Sequence, residues 1–148
     1  MTTLVKNRKA SFDFEFLKHF EAGLALTGSE VKAIRHGKAK LEGSYVVVRG
    51  GEAFLVGASI SEYQPANAPK SYDKERPRKL LLSKKQIDEL ETETDRTSLT
   101  AVAIRLYNKN GKIKLELAIA RGKKKHDKRE TLKKRDSKRE IERTLKSQ

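Results

Sequence analysis

The chain has 148 residues, with 34 Lys and Arg against 20 Asp and Glu, for a formal net charge of +14. That length suits one compact domain or a domain with a tail, and 36% apolar against 36% charged residues implies a modest core beneath an ionic surface. No apolar run reaches the ~18 residues of a membrane span, the N-terminus lacks a secretory stretch, and the absence of Cys excludes a disulfide framework, Cys-ligated zinc and a thiol nucleophile.

The first segment, Lys6-Asn-Arg-Lys9, is basic, and after it Phe12, Phe14 and Phe16 alternate with Ser11, Asp13 and Glu15. A period of two predicts an opening strand there. Thr27-Gly-Ser-Glu30 has capping-box spacing and starts a helix through His36, which Gly37 ends. Lys32 and Arg35 lie one turn apart on it. Tyr45–Arg49 and Glu52–Val56 flank Gly50-Gly51 and predict a hairpin. A further strand is expected over Ala58–Tyr63. The stretch from Gln64 to Lys79 holds all three prolines and reads as a long loop, with a basic cluster at Arg76–Lys79.

Ser83-Lys-Lys-Gln86 is a second capping box, followed by Ile87 and Leu90 as an apolar stripe. Next come two strands, Leu99–Tyr107 and Lys112–Ala120, joined by Asn108-Lys-Asn-Gly111, whose residues tolerate the turn of a hairpin. In the second strand Ile113, Leu115, Leu117 and Ile119 share one face, opposite Lys112, Lys114 and Glu116. The fold class is therefore mainly β: an antiparallel barrel of the oligonucleotide-binding type, with two or three short helices and a basic C-terminal tail.

The charge is unevenly distributed. Residues 121–148 carry 13 Lys and Arg against 5 acids, a net of +8, and residues 1–120 carry +6. Leu132, Ile141 and Leu145 form no single stripe, although the composition favours helix. Two units are expected: a barrel over 1–122, and a tail over 123–148 that is disordered when free and ordered on a polyanion.

No catalytic constellation emerges. His19, His36 and His126 lack zinc spacing, and Gly122-Lys-Lys124 lacks the first glycine and the hydroxyl residue of a phosphate loop. Asp88, Glu89, Glu91, Glu93 and Asp95 read as a solvated acidic surface. The chain is expected to be no enzyme and to carry no cofactor or metal. Four basic clusters favour a nucleic-acid partner. A general RNA-binding or ribosomal-type barrel and, more distantly, an RNA-processing enzyme stand as the rival readings.

Six segments in order carry a resemblance: Asn7–Ala10, Phe20–Leu26, Gly28–Arg35, Gly51–Leu55, Arg76–Leu82 and Ala120–Arg129. Together they resemble the small protein B family of bacterial SsrA-binding proteins. The resemblance implies a cytoplasmic, monomeric RNA-binding adaptor in ribosome rescue, with no membrane association. Its partners would be transfer-messenger RNA, the ribosomal RNA of the decoding centre and messenger channel, and indirectly elongation factor Tu.

Asn7, Glu21 and Leu81, with Arg8 and Lys9 in support, would meet the tRNA-like domain. The tail would enter the vacant messenger channel as a helix, with Gly122 as the joint. Lys123, Lys124, Lys128 and Arg129 would meet phosphates, His126 would stack on a base, and Asp127 would lie within the decoding-centre segment. Ala33, Ile34 and Ala103 are mild departures from the family pattern.

Overall fold

The computed structural model describes residues 1–64, 72–95, 99–124, 128–130, 132–136 and 138–139. Among the described residues as far as Gly122, nine strands and three helices follow in the order β1 (Thr2–Lys6), α1 (Arg8–Asp13), β2 (Phe14–Leu24), α2 (Gly28–Arg35), β3 (Ala39–Lys40), β4 (Tyr45–Arg49), β5 (Glu52–Val56), β6 (Ser59–Ile60), β7 (Arg78–Leu81), α3 (Lys84–Thr94), β8 (Leu99–Lys109) and β9 (Lys112–Gly122). Antiparallel pairing runs β8–β4–β5–β7–β2–β9 and returns to β8, so six strands close a barrel of the oligonucleotide-binding type. Closure leaves few free edges for stray pairing. β1 continues along β8 beyond β4, and β3 and β6 form a separate ribbon.

Ile34, Leu55, Leu80, Leu106, Leu115 and Leu117 are among the most deeply buried side chains of the core. Ile113, Leu115, Leu117 and Ile119, which alternate along β9, are all buried. Asn110 and Gly111 both adopt positive φ, 52° and 78°, the conformation of a two-residue type I′ turn between twisted strands. Both capping boxes form, Thr27 with Glu30 and Ser83 with Gln86. Among the described residues, no helix is long and apolar enough to cross a membrane.

Three sequence expectations are corrected. First, the phenylalanine alternation does not open a strand at residue 12. Asn7 caps a helix over Arg8–Asp13 that buries Ala10, so Phe12 is helical and β2 begins at Phe14. A bulge between Phe16 and Lys18 then shifts the phase. Phe16 shares a face with His19, their rings edge-on at 5.8 Å, while Phe20 and Ala22 turn into the core.

Second, Arg78 and Lys79, expected at the end of the Gln64–Lys79 loop, belong to β7. Residues 65–71 lie outside the described residues. Third, the Arg76–Lys79 cluster is not a free basic face. Arg78 is fully buried and places Nε and Nη2 on Glu30 Oε2 at 2.9 and 2.7 Å, with Nη1 on the Ala58 and Lys74 carbonyls. Arg76 bonds the other oxygen of Glu30, and Lys79 pairs with Glu52 at 3.1 Å. Burial pushes the Glu30 carboxyl up, but the Thr27 amide and both guanidinium groups outweigh it and hold its pKa below the ordinary value. The pair ties α2 to β7 and fixes one wall of the groove described next.

Candidate nucleic-acid interface

Glu21 and Leu81 come together on the outer face of the barrel. β2 sends Phe20 and Ala22 inward, so Glu21 and Gly23 face outward. Gly23 pairs with Leu81 across β2 and β7, and Leu81, at 56% exposure, rests on it. Here the glycine answers a close approach. A Cβ on Gly23 would stand 3.3 Å from the Leu81 Cβ. The adjacent groove, about 340 Å³, has an apolar floor of Leu26, Val31 and Leu81 and basic walls of Arg35, Lys112 and Lys114. Arg35 Nη2 donates to the Gly111 carbonyl at 2.9 Å and so joins α2 to the β8–β9 turn.

Glu21 is held by two donors. The Tyr107 hydroxyl donates to Oε2, and Lys109 Nζ lies 3.1 and 3.2 Å from the two oxygens. These bonds, Tyr107 first and Lys109 second, hold the carboxyl below the ordinary carboxylate range. Burial and the Glu21 carboxylate push the Tyr107 phenol strongly upward, so it remains a proton donor. The Arg105 guanidinium lies 4.4 Å from the Tyr107 ring centroid and donates to Glu116 at 3.2 Å. The face therefore offers an oriented carboxylate, an apolar platform and several cations. Such a set can accept from base or ribose donors, pack on an unstacked nucleoside and neutralise phosphate.

Asn7 sits elsewhere and faces inward. Its Oδ1 accepts from the Ala10 amide at 3.1 Å, and its Nδ2 donates to the Leu41 and Ala103 carbonyls at 3.1 and 2.8 Å. At 5% exposure its amide is committed within the protein. Through that anchor it fixes the start of α1, where Arg8 and Lys9 are exposed. Lys9 lines a pocket of about 270 Å³ with Asp13, Tyr45 and Thr100, separate from the Glu21–Leu81 groove. Leu81 thus lines one groove, with Glu21 two residues along β2 from its Gly23 partner, and Asn7 and Lys9 line another pocket.

The tail begins where β9 ends, at Gly122, and turns onto α1. The Lys123 amide donates to the Asp13 carbonyl at 2.8 Å, and its Nζ to the Ser11 carbonyl at 3.0 Å. Lys124 and Arg129 are exposed; His126 and Asp127 lie outside the described residues. Residues 128–130 and 132–136 are helical. Lys128 pairs with Asp13 at 3.4 Å and lies 5.7 Å from the Phe12 centroid. Arg135 lies 5.8 Å from that centroid and donates to Ser11 Oγ at 3.0 Å.

Sequence reasoning missed Tyr107, Lys109 and Phe12. The β8–β9 hairpin register places Tyr107 opposite Lys114, on the charged face of β9, so the first was within reach. The docking role of Phe12 carried no sequence signal. Among the described residues, no group of three His, Cys, Asp or Glu gathers to hold a metal.

Comparison with known proteins shows the family of this chain. The model of the SmpB protein family matches residues 4–147. An SsrA-binding protein of Rubrobacter xylanophilus is 49% identical over 147 residues, covering 99% of this chain and 97% of its own. One from Chelativorans sp. is 50% identical over 147 residues, covering 99% and 94%. A solved structure described as "tmRNA-SmpB: a journey to the center of the bacterial ribosome" superposes with a TM-score of 0.68 at 39% identity, covering 81% of this chain and 84% of that one.

Proposed function

Because the chain belongs to the SmpB protein family, we propose that it is a non-enzymatic RNA-binding adaptor that binds the tRNA-like domain of transfer-messenger RNA and brings it to stalled ribosomes. The observation that carries this reading is the outer barrel face, where Leu81, seated on Gly23, lines a groove walled by Arg35, Lys112 and Lys114, and Glu21, oriented by Tyr107 and Lys109, stands two residues from Gly23 on β2. Arg8 and Lys9 add cations from α1, held in place by Asn7.

The labour is divided. The barrel, residues 1–122, binds the tRNA-like domain as a monomer. The tail, residues 123–148, enters the vacant messenger channel as a helix, with Gly122 as its joint. Lys123, Lys124, Lys128 and Arg129 then meet ribosomal phosphates, and His126 and Asp127 reach the decoding centre. Elongation factor Tu acts with the complex indirectly, in the bacterial cytoplasm.

Affinity for the tRNA-like domain measured against ordinary tRNA tests the reading. A clear preference, retained after truncation at Gly122, is expected. Equal affinity for both RNAs would leave a general RNA-binding barrel in its place. Loss of binding on truncation would overturn the division between barrel and tail.

A further inference from the structure

Beyond the groove, two lysines and a histidine gather around a single ring. Tyr63 is half-buried just after β6. Its ring meets the His36 imidazole with centroids 5.0 Å apart and planes at 46°. Lys32 Nζ lies 5.8 Å and Lys38 Nζ 5.7 Å from the same centroid, and Lys38 also reaches the Tyr63 carbonyl at 3.5 Å. His36 Nδ1 lies 2.8 Å from the Lys32 carbonyl, which fixes the imidazole on the last turn of α2. Lys32, His36 and Lys38 are exposed, and among the described residues no carboxylate pairs with any of them.

Converging ammonium groups repel each other, and exposed lysines ordinarily extend into water. The ring quadrupole and the α2 carbonyl end offset part of that repulsion. A bound anion would remove the rest. Arg35 precedes His36 and lies one turn from Lys32, on neighbouring positions of the helix surface. Arg35 also lines the groove beside Leu81, so α2 carries one cation toward that groove and another, Lys32, toward the Tyr63 ring.

We propose that Tyr63, Lys32, Lys38 and His36 form a phosphodiester-binding site for an RNA strand leaving the Glu21–Leu81 groove. The proposal rests on the RNA-binding reading above and extends it to a second surface of the barrel. The lysines neutralise backbone phosphate, and the ring gathers them and offers a sequence-tolerant platform. A site of this kind strengthens binding to any RNA that crosses it and contributes no sequence preference.

The test uses the full chain with Lys32→Ala and Lys38→Ala combined. Binding is followed over a salt series on two probes, the tRNA-like domain and an unrelated structured RNA of equal length. The slope of log affinity against log salt should become shallower by about 1.4 to 1.8 for two lost phosphate contacts, with affinity falling about tenfold on both probes. The charge-retaining Lys32→Arg, Lys38→Arg pair should keep the original slope. Tyr63→Leu, which retains apolar packing, should weaken both probes severalfold at unchanged charge.

An unaltered slope and affinity in the double alanine variant would overturn the proposal and leave the lysines as solvated charge. Failure of the unmodified protein to prefer the tRNA-like domain would overturn the adaptor reading instead. The slope test on the unrelated RNA would stand in that case.

Discussion

Leu81 lies across the bare Cα of Gly23, its partner on the neighbouring strand, and the two residues make one platform. A methyl group at position 23 would approach the Leu81 Cβ to 3.3 Å, inside the ~3.5–4.0 Å of ordinary carbon contact. Leu81 is more than half exposed, so Leu81→Ala should change stability by only about 0.5 kcal/mol. Its affinity for the tRNA-like domain should nevertheless fall about tenfold, roughly 1.4 kcal/mol. Gly23→Ala should weaken RNA binding as well, because Leu81 must move. Thermal melts beside filter binding separate the effects. A destabilised Leu81→Ala protein with full RNA affinity would return Leu81 to a packing role.

Tyr107 and Lys109 orient Glu21 from two sides, and the phenol has the larger effect on its ionisation. Tyr107→Phe should therefore return the Glu21 carboxyl toward its usual 4.5, and Lys109→Ala should move it less. Carbon-13 titration of the Glu21 carboxyl reads both changes directly. A larger shift in Lys109→Ala than in Tyr107→Phe would reverse the assignment. Affinity for the tRNA-like domain should fall in Tyr107→Phe, since the carboxylate loses its fixed orientation.

Glu30 is the counter-charge of a fully buried guanidinium. Glu30→Gln leaves Arg78 unneutralised, and breaking such a pair costs about 3–5 kcal/mol. Because its folded pKa is depressed, the stabilisation from Glu30 is complete above the unfolded value of about 4.5 and is lost as pH falls through the folded value. Denaturant midpoints should thus decline below about pH 4.5 in the unmodified protein, and more shallowly in Glu30→Gln. Parallel acid profiles for the two proteins would remove Glu30 from the acid transition.

Much of the barrel was legible because its signals are local. The alternation in β9, the turn residues at Asn110-Gly111 and the capping boxes at Thr27 and Ser83 each act within a few residues. Phe12 was misread because an alternating triplet looks the same whether its first member is in a strand or in the last turn of a helix capped five residues earlier. Arg78 was misread for another reason. Its burial depends on Glu30, 48 positions away, and composition gives no sign of that distance. Glu21 and Leu81 were identified through family motifs alone. Physically, an exposed Glu on β2 and an exposed Leu on β7 share one face only when the barrel sets those strands side by side.

Phe12 places the start of the tail against the barrel. Lys128 and Arg135 both lie over its ring, and Asp13 and Ser11 hold their polar ends. Exposed cation–π contacts contribute about 0.5–1 kcal/mol each, so the pair holds the docked tail by about 1–2 kcal/mol. Phe12→Ala should shift the balance toward undocked tail by about fivefold to thirtyfold. The change would appear as faster amide exchange at residues 128–136 and faster tryptic cleavage there. Binding of the barrel to the tRNA-like domain should be unchanged, because Phe12 lies outside the Glu21–Leu81 groove. Salt should imitate the mutation in part by screening the Lys128–Asp13 pair. Unchanged exchange at residues 128–136 in Phe12→Ala would mean that the Lys123 backbone and side-chain bonds to Asp13 and Ser11 hold the tail without help from the ring.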